Sequence, residues 1–303
     1  MLPYLSFETI NDDTFSNFNT GEPCILGIDE AGRGPVLGHL VYGCAIVLAD
    51  KKDQLESLGV KDSKMLSPVQ REKIFNKMKE AEFITYSLSV VHPRIISAYM
   101  QHLDRLSLNE ISHNCTINLL QNAIQKGICI QEVFIDLVGS KEEKYQQFLK
   151  SHFPSLKITV SKKADSIFPI VGAASIAAKV TRDQLLSNWS FLESGFSKEE
   201  LGSGYPSDPS TKYFISKNID PIFGFPSLVR FSWKTIERLL EKKTVKCQWN
   251  TNELSDCPKQ RTLKEIWSGI KKEGKKDNEK ENAKMTRHLF FTERHISNIE
   301  HLE

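Results

Sequence analysis

In the segment Gly27-Ile28-Asp29-Glu30-Ala31-Gly32-Arg33-Gly34-Pro35-Val36, two acids close an apolar run, and this constrains the chain more than any other stretch. Carboxylates at the end of a buried strand are costly unless something charged meets them. Adjacent side chains on a regular strand point to opposite faces, so Asp29 and Glu30 are expected to share a site only if the backbone departs from regularity. Gly32 and Gly34 follow directly and permit that departure. Asp136 sits likewise inside the β-branched run Val133-Phe134-Ile135-Asp136-Leu137-Val138-Gly139. Asp165 follows Lys162-Lys163-Ala164 and precedes an apolar helix start. Singly, each acid reads more readily as a helix cap or a satisfied strand-end carboxylate than as a functional group. In an open α/β sheet, however, functional groups gather at strand ends, so the segments are expected to converge.

Four clustered carboxylates repel one another and take up protons unless a cation neutralises them. With no His or Cys nearby, an all-oxygen donor set favours a hard ion, Mg²⁺ or Mn²⁺. Two such ions, about 3.5–4 Å apart, can activate water and stabilise the leaving oxygen of a phosphodiester. The residues alone therefore point to metal-dependent phosphodiester hydrolysis.

The surrounding pattern is mixed α/β. Strands are expected at Cys24 to Asp29, Val36 to Leu48, Phe83 to Val91, Glu132 to Val138 and Leu156 to Ser161. Ser67-Pro68-Val69-Gln70 carries a capping residue, an N1 proline and a capping-box glutamine, so a helix should run from there to about Lys79. Ser107 to Lys126 shows helical apolar spacing and stops at Gly127, a C-cap. Glu142 to Lys150 and the Ala-rich Phe168 to Leu186 complete the helices. Three antiparallel strands followed by β-α-β-α imply one mixed five-stranded sheet flanked by helices, with a helical C-terminal part.

Charge narrows the function classes. The 303 residues hold 40 Lys+Arg and 38 Asp+Glu, a formal net charge of +2. Residues 241–303 contain 14 of the basic and 11 of the acidic residues, leaving 26 against 27 in the first 240. The body is not uniformly basic, so any phosphate-binding surface must be local. Residues 1–20 read as a polar leader, 21–245 as the catalytic domain, and 246–303 as a charged extension that docks on a partner or is partly disordered. No apolar run reaches the roughly 18 residues of a membrane span, and no secretory signal is visible, so no membrane role is expected. The six cysteines fall singly, without C-x-x-C spacing, and suit a reducing compartment.

The ordered motifs D-E-A-G-R-G-P-V (Asp29 to Val36), D-S-K (Asp62 to Lys64), K-K-A-D-S (ending at Asp165-Ser166), A-A-S-I-A-A-K-V-T-R-D (Ala173 to Asp183), G-S-G-Y-P-S-D-P (Gly202 to Pro209) and V-R-F-S-W (Val229 to Trp233) together resemble type 2 ribonuclease H. The last two motifs and the extension resemble the catalytic subunit of the eukaryotic enzyme. The resemblance spans roughly residues 22–242 and implies a ribonuclease H-like fold. It implies that Asp29, Glu30, Asp136 and Asp165 are the catalytic, metal-binding carboxylates for two divalent ions. It also implies that Gly32, Arg33 and Gly34 read the ribose 2′-OH, that Tyr205 stacks on the sugar at the ribo-to-deoxyribo junction, and that Lys64 and Arg33 hold phosphates. A 2′-OH both donates and accepts, and only glycine lets main chain approach so closely.

The activity so implied is hydrolysis of the RNA strand of RNA–DNA hybrids and nicking 5′ to single ribonucleotides in duplex DNA. The products are 3′-OH and 5′-phosphate ends. A nuclear role in ribonucleotide excision and primer removal during replication, in a heterotrimer with two accessory subunits, goes with it. Gln260-x-x-Leu263-x-x-Ile266-Trp267 loosely resembles a sliding-clamp peptide, and the apolar patch from Leu289-Phe290-Phe291 to Ile296 suits docking on a partner or, equally, a helix folding back on the body. Two departures stand out: Leu137 where the family usually has threonine, and His39 where proline is common. The competing readings are a polynucleotidyl transferase without ribose specificity, which leaves the glycine-arginine-glycine loop and Tyr205 unexplained, and an inactive nucleic-acid scaffold, against which all four acids count. Ser175, on the Ala-rich helix, is expected to be a packing residue.

Overall fold

Capping and alternation set the element boundaries of the computed structural model, which describes residues 8–60, 65–102, 105–137, 139 and 141–245. In chain order these are β1 (Glu8–Asn11), a 3₁₀ turn (Asp13–Phe18), β2 (Cys24–Ala31), β3 (Leu40–Leu48), a 3₁₀ segment (Ala49–Leu58), α1 (Pro68–Glu80) and β4 (Ile84–Val91). Then follow α2 (Pro93–Gln101), α3 (Leu108–Gln125), β5 (Ile130–Asp136), α4 (Glu142–His152), β6 (Lys157–Ser161), α5 (Ala164–Ile167), α6 (Pro169–Ser187), a 3₁₀ turn (Lys198–Glu200), α7 (Pro209–Lys217) and α8 (Lys234–Lys243). Both expected capping boxes form. The Ser67 hydroxyl accepts from the Gln70 N–H while Ser67 N–H donates to Gln70 Oε1, and Ser107 and Glu110 repeat the arrangement at α3. Each cap satisfies amide donors that the first turn leaves orphaned.

The sheet is mixed, in the order β1-β4-β3-β2-β5-β6. The β2–β3, β3–β4 and β1–β4 pairs are antiparallel, and β2–β5 and β5–β6 are parallel. It has six strands rather than the expected five. The addition is β1, whose four residues, Glu-Thr-Ile-Asn, are too short to show alternation but pair with Ser87 to Val90 at the sheet edge. Residues 8–18, read from the sequence as part of a polar leader, thus supply an edge strand and two core side chains, Phe15 and Phe18. The strand expected from Val36 begins only at Leu40. Val36 and Leu37 instead donate to Gly204 O at 2.9 and 3.3 Å, and Leu37 bridges Val229, so tertiary partners take the backbone groups a ladder would have used.

Two cores flank the sheet. Leu26, Ile28, Tyr42, Cys44 and Ile46 face α3 and α4 through Ile111, Cys115, Leu119, Tyr145 and Leu149. On the other side Val41, Ala45 and Val47 face α1 and the small-residue helix α6. That helix lies so close that a Cβ on Gly43 would sit 2.4 Å from Ala174 O, and one on Gly27 2.6 Å from the Ile170 backbone. Glycine at these two strand positions is what lets α6 reach the central strands. A third cluster joins Val36 and Leu37 to Phe214, Leu228, Val229 and Ile236 from the C-terminal helices. Among the described residues no helix is long and apolar enough to cross a membrane.

Candidate active site

The carboxyl ends of the two central parallel strands lie side by side. The β2–β5 pairing reaches Ile28↔Ile135 and stops, while β2 runs on to Ala31 against β3. Asp29, Glu30 and Asp136 therefore emerge where the two strands part. Their carboxylates offer oxygens that all lie within 4.8 Å of one another. The regular pairing Asp29↔Gly43 and Glu30↔Tyr42 shows that no backbone irregularity is needed, contrary to the expectation from alternation. The two side chains leave opposite faces and meet around the strand end, because beyond Ile28 no β5 backbone stands between them.

Asp29 is buried, and its Oδ1 accepts from the Glu30 N–H at 2.7 Å. Burial pushes its carboxyl well above the usual range, and the Asp136 charge adds to this. A hydrogen bond from Ser175 and the Lys179 ammonium pull the other way. Glu30 is raised by burial, then by Asp29 and Asp136, and its Oε2 is buried without a hydrogen-bond partner. Buried, mutually repelling carboxylates, with one Glu30 oxygen left without a partner, are the arrangement a hard divalent cation neutralises, so the donor set fits the expected ions. Asp136 Oδ1 accepts from the Ala164 N–H at 2.8 Å, which ties β5 to the start of α5.

Asp165 lies in that short helix, 1% exposed, but outside the three-carboxylate group. The residue before α5's first position, Lys163, takes the left-handed conformation at φ 55°, the one non-glycine to do so among the described residues. For an L-residue this costs roughly 1–2 kcal/mol, and it is the turn that carries the chain from β6 into the helix bearing Asp165.

The glycine loop follows β2 directly. Gly32 has φ 83°, and a Cβ there would meet His39 O at 2.4 Å. The Arg33 guanidinium turns to the start of α3, donating to Ser112 Oγ at 2.7 Å and to Asn109 Oδ1. Gly34 lies beneath Tyr205, whose Cε1 would be 3.5 Å from an added Cβ. Tyr205 is 41% exposed, and the Arg182 guanidinium lies 5.5 Å from its ring centroid. The structure thus brings Asp29, Glu30 and Asp136 together, sets Gly32, Arg33, Gly34 and Tyr205 on the loop side, and keeps Asp165 buried in the adjoining α5. Lys64 lies outside the described residues, as do the clamp-like Gln260-to-Trp267 segment and the patch from Leu289 to Ile296.

Sequence reasoning missed what holds this loop. Arg230 is fully buried, donating from Nε to Gly38 O at 2.9 Å and from Nη1 to Arg33 O at 3.4 Å, and Trp233 Nε1 donates to Gly34 O at 3.2 Å. The V-R-F-S-W run was visible, but nothing in one sequence says that its cation faces carbonyls 190 residues upstream. Ser175, expected only to pack, bonds Asp29; its i,i+4 spacing to Lys179 was the available signal. Leu137 packs against the first core while Asp136 beside it keeps its place in the group. His39 is buried in a ring cluster with His92 and Trp189, at 5.1 and 5.3 Å between centroids.

A mixed sheet with acids at the carboxyl ends of its central strands, and a glycine loop beside them, defines a ribonuclease H-like enzyme. A family model described as Ribonuclease HII matches residues 26–236. A ribonuclease H2 subunit of Caenorhabditis elegans is 45% identical across 97% of this chain and 98% of its own length. The Homo sapiens protein of the same name is 41% identical, across 90% and 89%. Among solved structures, ribonuclease H2 from Pyrococcus horikoshii matches with a TM-score of 0.60 at 33% identity, covering 72% of this chain and 98% of that one. The chain belongs to the ribonuclease HII family and is a ribonuclease H, a nucleic-acid hydrolase of a class that works with divalent metal ions.

Proposed function

We propose that this enzyme hydrolyses the RNA strand of RNA–DNA hybrids and nicks duplex DNA on the 5′ side of single embedded ribonucleotides, leaving 3′-OH and 5′-phosphate ends. The observation that carries the proposal is the convergence of Asp29, Glu30 and Asp136 within 4.8 Å, immediately before a glycine loop lying under Tyr205. Asp29, Glu30 and Asp136, joined by Asp165, would hold two divalent ions, Mg²⁺ or Mn²⁺. Bound there, the ions would supply charge neutralisation, activation of the attacking water and stabilisation of the leaving oxygen. Ser175 and Lys179 hold Asp29 on the α6 side, and Ala164 N–H holds Asp136.

Ribose discrimination falls to Gly32, Arg33 and Gly34. The Arg33 and Gly34 carbonyls already accept from Arg230 and Trp233, so the loop's amide N–H groups are the donors it offers a 2′-OH. Tyr205 would stack on the sugar, and Arg33, with Lys64, would hold phosphates. The relatives' names, each given as one subunit of ribonuclease H2, support a multi-subunit enzyme, for which we propose two accessory subunits. A ribonuclease HII of Archaeoglobus fulgidus, matching with a TM-score of 0.59 at 28% identity over 75% of this chain and 98% of that one, was solved with PCNA. Sliding-clamp association and a nuclear role in ribonucleotide excision and primer removal fit the proposal. The test is nick mapping on a duplex with one ribonucleotide beside an all-deoxy duplex, in Mg²⁺. One nick 5′ to the ribonucleotide, with a 3′ end that a polymerase extends, is expected; cleavage of both duplexes or 3′ to the ribose would overturn it.

A further inference from the structure

Gly34 is flanked by two aromatic side chains, and only Tyr205 has a role in the proposed reaction. On the other side its carbonyl accepts from Trp233 Nε1 at 3.2 Å. Each ring is backed by a buried arginine: Arg182 stands 5.5 Å from the Tyr205 centroid and Arg230 4.8 Å from Trp233. Both rings thus stand against one residue of the glycine loop, Trp233 through a hydrogen bond and Tyr205 over the space a Cβ would fill.

Beside Trp233 opens a hollow of about 440 Å³, lined by Arg33, Gly34, Met100, Leu108, Trp233 and Lys234 among others. Its floor is apolar: Met100 and Leu108 pack against the first core, and Trp233 adds its half-buried indole. Its rim is cationic. Lys234 is exposed at the start of α8, and Arg33 is held in place by Ser112 and Asn109 rather than trailing in solvent. An apolar floor beside two cations, Arg33 held in place and Lys234 exposed at the rim, suits a ligand that is itself apolar on its faces and anionic at its edge, which describes a heterocyclic base with its phosphate. Gly34 contributes both to this hollow and to the floor under Tyr205, so a strand crossing the loop meets both.

We propose that the hollow is a subsite for a nucleotide neighbouring the one under Tyr205, with its base against Trp233 and its phosphate paired to Lys234 and Arg33. The inference rests on the nucleic-acid reading of the site and extends it by assigning Trp233 and Lys234 a direct binding role.

An abasic scan tests it. Binding of the full chain, with partner subunits where activity needs them, is measured in an Asp136→Asn background. The probes are duplexes bearing one ribonucleotide and an abasic sugar at each neighbouring position in turn. At one position the missing base is expected to weaken binding about tenfold, since base–aromatic stacking is worth about 1–3 kcal/mol per base. Trp233→Leu should weaken binding of the intact duplex comparably and respond no further to that abasic position. Trp233→Phe, which keeps a stacking face but loses the N–H to Gly34, should retain the response. Lys234→Ala, an exposed substitution, should lower the salt slope of binding by about one while leaving the scan unchanged.

A Trp233→Leu chain that keeps the parental response at every position overturns the subsite. So does one whose loss is confined to association with partner subunits, which would assign the hollow to a protein. Failure of the carboxylate assignment shows separately, as turnover surviving in Asp136→Asn, because the scan reads binding alone.

Discussion

Asp29→Asn should abolish turnover and, in the absence of divalent ions, stabilise the protein. Asp29, Glu30 and Asp136 present oxygens within 4.8 Å of one another. At that separation and an effective dielectric of about 20, each pair of full charges repels by about 3 kcal/mol. Burial is the larger reason the Asp29 and Glu30 carboxyls are raised, and the neighbouring acids add to it. A raised carboxyl contributes stability below its ordinary range and loses it as pH climbs through the raised value. The metal-free enzyme should therefore weaken from about pH 4 upward, with the deficit largest above neutrality. The asparagine removes one charge, while its Oδ1 can still accept from the Glu30 N–H. Allowing for partial protonation of the parent, a gain of about 1–3 kcal/mol remains, or several degrees in Tm for a domain of this size. Saturating Mg²⁺ should reverse the order, because a ligand at a thousand times its Kd stabilises by about 4.1 kcal/mol only the protein that binds it. Thermal unfolding at pH 8 in chelator and in Mg²⁺ reads both. A variant that melts below the parent in chelator, or rises with Mg²⁺ as much as the parent does, would refute the charge argument.

Arg230→Met removes a fully buried guanidinium whose pKa burial lowers to about 9 from 12.5, with the Arg182 charge as a second cause. Burial works against the charged form, so its removal relieves a cost, while each carbonyl left without its donor, Gly38 and Arg33, costs about 1–3 kcal/mol, and the two effects oppose. Stability should change little while kcat falls by at least about tenfold; urea melts with steady-state kinetics check this, and collapse of the fold would contradict it. His39→Gln tests the ring cluster. Burial, then His92 and the arginines, lower the imidazole to about 4 from 6.5. The folded state thus binds fewer protons than the unfolded one, and stability falls as pH drops from about 6.5 to 4. The parent should lose up to about 3 kcal/mol more than His39→Gln across that window in urea melts, and equal losses would contradict the assignment. Tyr205→Ala should reduce nicking at a single ribonucleotide more than cleavage within continuous RNA, and equal losses in kcat/KM would remove its junction role.

Local signals were legible where they were self-contained. The capping boxes at Ser67 and Ser107 placed α1 and α3 to within a residue, because a cap is satisfied by its own turn. The glycines before and after the paired acids mark close-approach positions, although Gly27 and Gly43 serve α6 rather than a bend in β2. Three things escaped. The edge strand Glu8–Asn11 has no pattern of its own and exists only against β4. The Val36-to-His39 stretch reads as strand by composition, but its backbone groups are claimed by Gly204, Leu228 and Arg230, from more than 160 residues away. Helices α2 and α7 open on a capping residue and an N1 proline, His92-Pro93 and Asp208-Pro209, signals present in the sequence though without a capping box, and α8 starts with no side-chain cap at all. At the site, the acids were legible because charge at the end of an apolar run is costly. Arg230, Trp233 and Ser175 were not, since an arginine, a tryptophan or a serine shows its partner only once the chain has folded.

The most direct test of the central claim is single-turnover cleavage of a duplex containing one ribonucleotide by Asp136→Asn, with Kd for the same duplex measured alongside. On the proposed reading Asp136 supplies charge to the cluster, whereas contacts to the strand fall to the glycine loop and its aromatic neighbours. The rate should therefore drop by at least about a thousandfold, a barrier increase of about 4 kcal/mol, while Kd stays within a few-fold of the parent's. A parental rate in Asp136→Asn would contradict the assignment of chemistry to the carboxylate cluster.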